Sequence, residues 1–222
     1  MLTHLDVINK GYCDLPFIKV KISADGNVTN CCWMNKPIGN ILHDSIDSIW
    51  NSPLSWSIRS SINDDQLHAH CVGNCPHNFF NYRHMRNVAL SVYPQLLEID
   101  LPNTHCNIGG TNPNPETACV MCSRASPHFS PQLDHTDHIA EAYSPYTKHL
   151  HSVHVQGIAE PFWKDRVFSI LEYLKAPSSL HTSVITNGTL LYGKTLDRWL
   201  SIPYSHTIVS IDAGTAATYK KI

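Results

Sequence analysis

Charge is scarce in this chain. Of its 222 residues only 15% are Asp, Glu, Lys or Arg, and the formal net charge is −2. The 16 Lys and Arg residues are few and scattered. They form no basic stripe of the kind that follows a phosphate backbone, so no nucleic-acid partner is expected. Long apolar runs are also missing: nothing approaches the roughly 18 residues that cross a bilayer, so no membrane association is expected. Met1–Lys10 lacks a basic start followed by an apolar stretch, which leaves a cytoplasmic location as the expectation. No internal repeat or low-complexity tract is present. The 15 histidines stand without an HxxxH pair on a helix, and none is assigned to a metal.

What the chain does have is cysteine, in two groups. Cys13, Cys31, Cys32, Cys71 and Cys75 form the first; Cys106, Cys119 and Cys122 form the second. In a reducing compartment structural disulfides are disfavoured, so close pairs such as Cys71-x3-Cys75 and Cys119-x2-Cys122 point to metal or catalytic chemistry. The second group follows the strand-like run Leu96–Leu101. Three thiolates on a loop at the C-terminal end of a strand can hold three irons of a [4Fe–4S] cluster and leave the fourth iron open to a small molecule. A zinc site using the same thiolates with a histidine such as His105 is the competing reading.

The segment to about residue 80 reads as short elements separated by turns. Phe17–Ile22 alternates like a half-buried strand, Asp25-Gly26-Asn27 is a tight-turn motif, and Val28–Cys32 would return as the second strand of a hairpin. Asp44 or Ser45 can cap a short helix through Trp50, and Pro53 can start another through about Ile62. Residues 77–95 read as a connecting helix. Beyond them strand-like runs at 96–101, 151–156, 182–186 and 207–212 alternate with helical stretches, among them Val167–Lys175, stopped by Pro177. That rhythm argues for βαβ units and a parallel sheet or barrel, whose ligand sites form at the C-terminal strand ends.

Motifs fall at each of those ends. Gly157-Ile-Ala-Glu-Pro161 follows the second strand; its glycine allows close backbone approach, and Glu160 with the loop carbonyls can accept hydrogen bonds from an ammonium group. Thr186-Asn-Gly-Thr189 follows the third. Ser210 and Asp212 share one face of the fourth by period two. This ordered series resembles the radical S-adenosylmethionine (SAM) superfamily. The resemblance implies an α/β fold with a partial radical SAM (β/α) barrel of about four of its six units. It also implies a [4Fe–4S] cluster on Cys106, Cys119 and Cys122, and reductive cleavage of SAM to a 5′-deoxyadenosyl radical that abstracts hydrogen from substrate. Met121, Gly157, Ile158, Ala159, Glu160, Ser210 and Asp212 then match SAM-contacting positions. Two features depart from the family's pattern. Twelve residues separate Cys106 from Cys119 where the family has three, and Ile158-Ala159 interrupts its GGEP segment.

The N-terminal motifs Cys13-Asp-Leu-Pro, Ser23-Ala-Asp-Gly-Asn-Val, Cys31-Cys-Trp, Ile38-Gly-Asn-Ile, Ile49-Trp-Asn-Ser and Cys71-x3-Cys75 resemble a SPASM domain. That resemblance implies an auxiliary [4Fe–4S] cluster on Cys13, Cys32, Cys71 and Cys75, with Cys32 favoured over Cys31 because adjacent strand residues point to opposite sides. A structural zinc on the same thiolates stays open. The expected organisation is a small cysteine-rich α+β SPASM-like domain over 1–80, a connecting helix over 81–95 and part of a barrel over 96–222. A peptide or small-molecule substrate and an electron donor such as a flavodoxin or ferredoxin are the implied partners. The chain ends after the fourth strand, which leads to the expectation of a truncated barrel. A non-catalytic zinc or iron–sulfur interaction module, or an inactive gene product, is the alternative.

Overall fold

The computed structural model describes residues 8–9, 13–64, 66, 68–71, 88–108 and 118–219. Its strands are β1 (Ile8–Asn9), β2 (Lys19–Ile22), β3 (Asn27–Thr29), β4 (Gly39–Asn40), β5 (Val88–Ala89), β6 (Leu96–Leu101), β7 (Ser152–Gly157), β8 (His181–Thr186) and β9 (Ser205–Val209). Its helices are α1 (Leu15–Ile18), α2 (Ile46–Trp50), α3 (Pro53–Asn63), α4 (Thr136–Tyr143), α5 (Arg166–Tyr173), α6 (Gly193–Leu200) and α7 (Ala216–Tyr219). Seven strands form one sheet in the order β4-β3-β2-β6-β7-β8-β9, while β1 and β5 pair antiparallel by themselves. From β2 to β9 every neighbour is parallel. The antiparallel hairpin of the N-terminal segment is therefore the continuation of the parallel sheet, because β2 pairs with β6 along its whole length.

Local chemistry accounts for the element ends. Pro16 lies in the first turn of α1, where its fixed φ suits a helix, so the expected strand over 17–22 begins only at Lys19. The hairpin turn needs Gly26 at φ +82, and a Cβ there would come 2.6 Å from Leu42. β3 stops at Thr29 rather than running to residue 32. The Asn30 side chain donates to the Lys19 carbonyl (3.0 Å) and its backbone N–H meets the Met34 sulfur (3.3 Å), which turns the chain through Cys31–Met34. Ser45 and Ser52 cap α2 and α3 by accepting from the backbone N–H groups of Ser48 and Ser55. The helix expected to reach residue 95 is not present over its described part. Val88–Ala89 is a strand, and 90–95 is irregular, with Gln95 N–H donating to the Ile18 carbonyl. Residues 77–87 of that expectation lie outside the described residues.

The two faces of the sheet differ. Val20, Ile22, Leu97, Ile99, Val153, Val155 and Val184 form the buried face, covered by Ile139 and Tyr143 of α4, Val167, Phe168 and Ile170 of α5, and Trp199 of α6. Each such side chain contributes roughly 1.5–3 kcal/mol of burial. Lys19, Lys21, Glu98, Asp100, His154, Gln156 and Ser183 alternate with them and line the other face, as the period-two geometry of paired strands requires. Lys19 and Lys21 both pair with Glu98, Lys21 also with Asp100, and Gln156 donates to Glu98. Under the hairpin, Arg59 of α3 is buried between Trp50 and Trp56 and donates to the carbonyls of Pro16 (2.7 Å) and Trp50 (2.8 Å). Burial pulls its guanidinium down to about 9.

Candidate functional site

The chain leaves β6 at Leu101 and enters a loop that carries Cys106. Asn103 and Gln132 brace its start with reciprocal bonds: each backbone N–H donates to the other's side-chain oxygen at 2.9 Å. Arg124, only 2% exposed, donates to the Asn103 carbonyl before Cys106 and to the Ile108 carbonyl after it, both at 2.7 Å. A turn closed by the Cys122 N–H on the Cys119 carbonyl (2.9 Å) brings in the other two cysteines. Cys106, Cys119 and Cys122 carry half-buried free thiols. Burial pushes the Cys106 thiol up; Arg124 and the Ile108 backbone N–H act against this, while Glu160 and Cys119 act with it.

Loops from β7 and β8 close over this one. Gly157 ends β7 at φ +129, opposite Leu101, and a Cβ there would lie 2.7 Å from the Leu101 carbonyl oxygen. The close backbone approach expected of this glycine is therefore real. Glu160 is 0% exposed, and its N–H donates to the His105 carbonyl at 2.6 Å. One carboxylate oxygen accepts from the Thr186 hydroxyl (2.7 Å) and the Phe162 N–H (3.2 Å); the other accepts from the Asn187 N–H (2.8 Å). Burial raises its pKa despite those three donors. This buried carboxylate ties the ends of β7 and β8 together. Asn187 donates to the Asn107 side-chain oxygen (3.1 Å), and Asn107 donates to the Thr189 hydroxyl (2.9 Å). Asp134 accepts from His105 and pairs with Arg166. Burial alone would raise its carboxyl, but His105, Thr136 and Arg166 hold it well below the usual carboxylate range.

Other expected contacts fall elsewhere. Ser210 and Asp212 lie past the end of β9, on exposed irregular chain, so strand alternation does not place them on a common face. The ladder ends where β8 ends, with the Ser210 N–H donating to the Thr186 carbonyl at 2.8 Å. Met121 and Ile158 are 57% and 51% exposed, and Ala159 packs against the core.

The first cysteine group sits at the other end of the sheet. Cys13 precedes α1 and is half-buried. Cys31 and Cys32 occupy the turn after β3, which runs antiparallel to β2 and so returns to the start of β2. Cys71 bridges Met34 of that turn, and Asn35 N–H donates to the His70 carbonyl at 3.0 Å. Because the pair lies in a turn, alternation does not choose between them; Cys31 is half-buried and Cys32 exposed. Cys75 lies outside the described residues. Since β2 and β6 are parallel, the two groups flank opposite ends of β6, whose six residues span roughly 20 Å at about 3.3 Å each.

Among the described residues no three His, Cys, Asp or Glu side chains gather closely enough to hold a single metal ion. Cluster thiolates each bind a separate iron, so the second group fits a cluster in donor type. Residues 13–76 match SPASM, an iron-sulfur cluster-binding domain. No curated protein and no solved structure matches the chain. The N-terminal segment is thus of an iron–sulfur cluster-binding class typical of radical SAM enzymes. No helix among the described residues is long and apolar enough to cross a membrane. Sequence reasoning missed Arg124, whose nearness to Cys122 was visible but whose reach back to residues 103 and 108 was not.

Proposed function

We propose that this chain is a radical SAM protein, or part of one, with an N-terminal SPASM domain. The observation that carries the reading is the joining of three successive parallel-strand ends around one cysteine loop through Glu160, Asn187 and Asn107. Cys106, Cys119 and Cys122 would hold a [4Fe–4S] cluster. Its chemistry there is the one-electron cleavage of SAM to a 5′-deoxyadenosyl radical for hydrogen abstraction. Arg124 and Asn103 fix the loop, Gly157 lets β7 approach it, and the Gly157–Ala159 backbone is left to face the methionyl group. Glu160 orients that backbone from behind. Partial burial of the thiols limits water, and the open strand ends admit a peptide or small-molecule substrate. Electrons would come from a flavodoxin- or ferredoxin-like donor in the cytoplasm.

Cys13, Cys71 and Cys75, with Cys31 or Cys32, would hold the auxiliary cluster. Its position at the far end of β6 supports a structural role, fastening the hairpin to the sheet, over contact with substrate. Anaerobic reconstitution with iron and sulfide, followed by metal analysis, EPR and assay of 5′-deoxyadenosine under reductant, tests the reading. Two iron–sulfur signals, one perturbed by SAM, are expected. Uptake of zinc alone, with no SAM-sensitive signal, would replace this reading with a non-catalytic zinc module.

A further inference from the structure

Two side chains of opposite charge are buried against the cysteine loop: Arg124 is 2% exposed and Glu160 0%. We propose that they set the reduction potential of a cluster held by Cys106, Cys119 and Cys122, with Arg124 raising it and Glu160 lowering it. This role rests on the cluster reading above.

Three observations lead there. The first is where the positive charge is pinned. Arg124 follows Cys122 by two residues, and its guanidinium donates to the carbonyls of Asn103 and Ile108, both at 2.7 Å. It is therefore bonded to the loop on both sides of Cys106 while its own backbone is tied to Cys122. Carbonyls are neutral, so these bonds hold the charge in place without cancelling it, and a guanidinium keeps its proton at any working pH. The second is the negative charge facing it. The Glu160 N–H donates to the carbonyl of His105, the residue before Cys106, at 2.6 Å. Its carboxylate receives the Thr186 hydroxyl and the Phe162 and Asn187 N–H groups, bonds that favour the ionised form. The third is the balance of the surroundings. Burial is the largest influence on the Cys106 thiol and disfavours the thiolate; Arg124 opposes this and Glu160 adds to it. Asp134, which accepts from His105, is matched by Arg166 and adds little net field.

The signs follow from charge. A thiolate-bound iron–sulfur cluster is anionic, and a gained electron makes it more so, which is why nearby net charge is a lever on its potential. A fixed cation favours electron gain and a fixed anion resists it. Both side chains are buried, so solvent screens them less than surface ions.

Redox titration of the reconstituted full chain with dithionite, at mildly alkaline pH without SAM and followed by EPR, tests this. The signal of the second group is the one lost when Cys106, Cys119 and Cys122 are replaced with Ala. At the ambient potential that half-reduces this site in the unaltered chain, Arg124→Gln should lower its ratio of reduced to oxidised cluster at least about tenfold. Glu160→Gln, which keeps the shape of the side chain, should raise that ratio at least about threefold. Arg124→Lys keeps the charge without the forked donor and should stay within about threefold. The signal of the first group, roughly 20 Å away along β6, should not move. A smaller response in either neutral variant, a shift of both in one direction, or a larger shift in Arg124→Lys overturns the proposal; the last two would show that loop geometry rather than charge sets the potential. If Arg124→Gln loads too little iron to be read, the rise in Glu160→Gln decides alone. An unaltered chain that takes up no cluster at this site removes the cluster reading and this role with it; a cluster whose potential holds still in the variants removes only this role.

Discussion

The two cysteine groups are held by different means. Around Cys106, Cys119 and Cys122 the fastening is tertiary. Arg124 reaches back to residues 103 and 108, and Glu160, Asn187 and Asn107 join the ends of β6, β7 and β8. Around Cys13, Cys31 and Cys71 it stays within one segment of the chain: a short helix, a turn after β3 and an isolated bridge that brings Cys71 back to Met34. Motifs confined to one segment survive in sequence as a readable pattern, and this is the part of the chain that matches a known domain. A site assembled from three distant strand ends depends on sheet order. The contrast also separates roles, since one site faces the open C-terminal strand ends and the other lies at the opposite end.

The largest test of the comparison is removal of one site. Replacing Cys106, Cys119 and Cys122 together with Ala should abolish about four irons per chain and leave the other cluster, as measured by metal analysis after reconstitution. Loss of all iron would show that the two ends are coupled in folding. Next is Arg124→Met, which leaves the Asn103 and Ile108 carbonyls without their charged donor. It should cost about 3 kcal/mol in urea unfolding and lower iron only at the second group.

Acid should act on the polar face between the two sites. Burial would raise the Glu98 carboxyl, but hydrogen bonds and charge from Lys19 and Lys21 lower it further. A depressed carboxyl stabilises the fold above its unfolded pKa of about 4.3, and that stability is lost as pH falls through the folded value. The urea midpoint should hold from neutral pH down to about 5 and drop as pH falls from the unfolded value of about 4.3 through the lower folded one, and Glu98→Gln should show a shallower drop. The smallest effect is at the N-terminal end. Ser45→Ala removes the cap of α2 and should cost about 1 kcal/mol while iron at both groups stays unchanged. A change in the iron of the second group there would break the separation argued above.

Much of the architecture was legible because it follows from short-range rules. The run at 96–101 is a strand with the expected bounds, Ser45 caps one helix and Pro53 starts the next, and strands alternate with helices from β6 onward. Misreadings came where a neighbour overrode the pattern. Pro16 made a helical turn of part of a strand, Asn30 ended β3 early, and the end of β8 ended β9 before Ser210 and Asp212. By itself the sequence determined residue chemistry and spacing: two thiol groups, a glycine where backbones meet, and amphipathic periods that set helix from strand. Only the tertiary structure decided that the hairpin and the parallel strands share one sheet, that the cysteine groups sit at its opposite ends, and that Glu160 is buried in bonds to another strand end. Those facts rest on which strands pair, and pairing is a long-range choice made by burying one apolar face, which no local window of residues records.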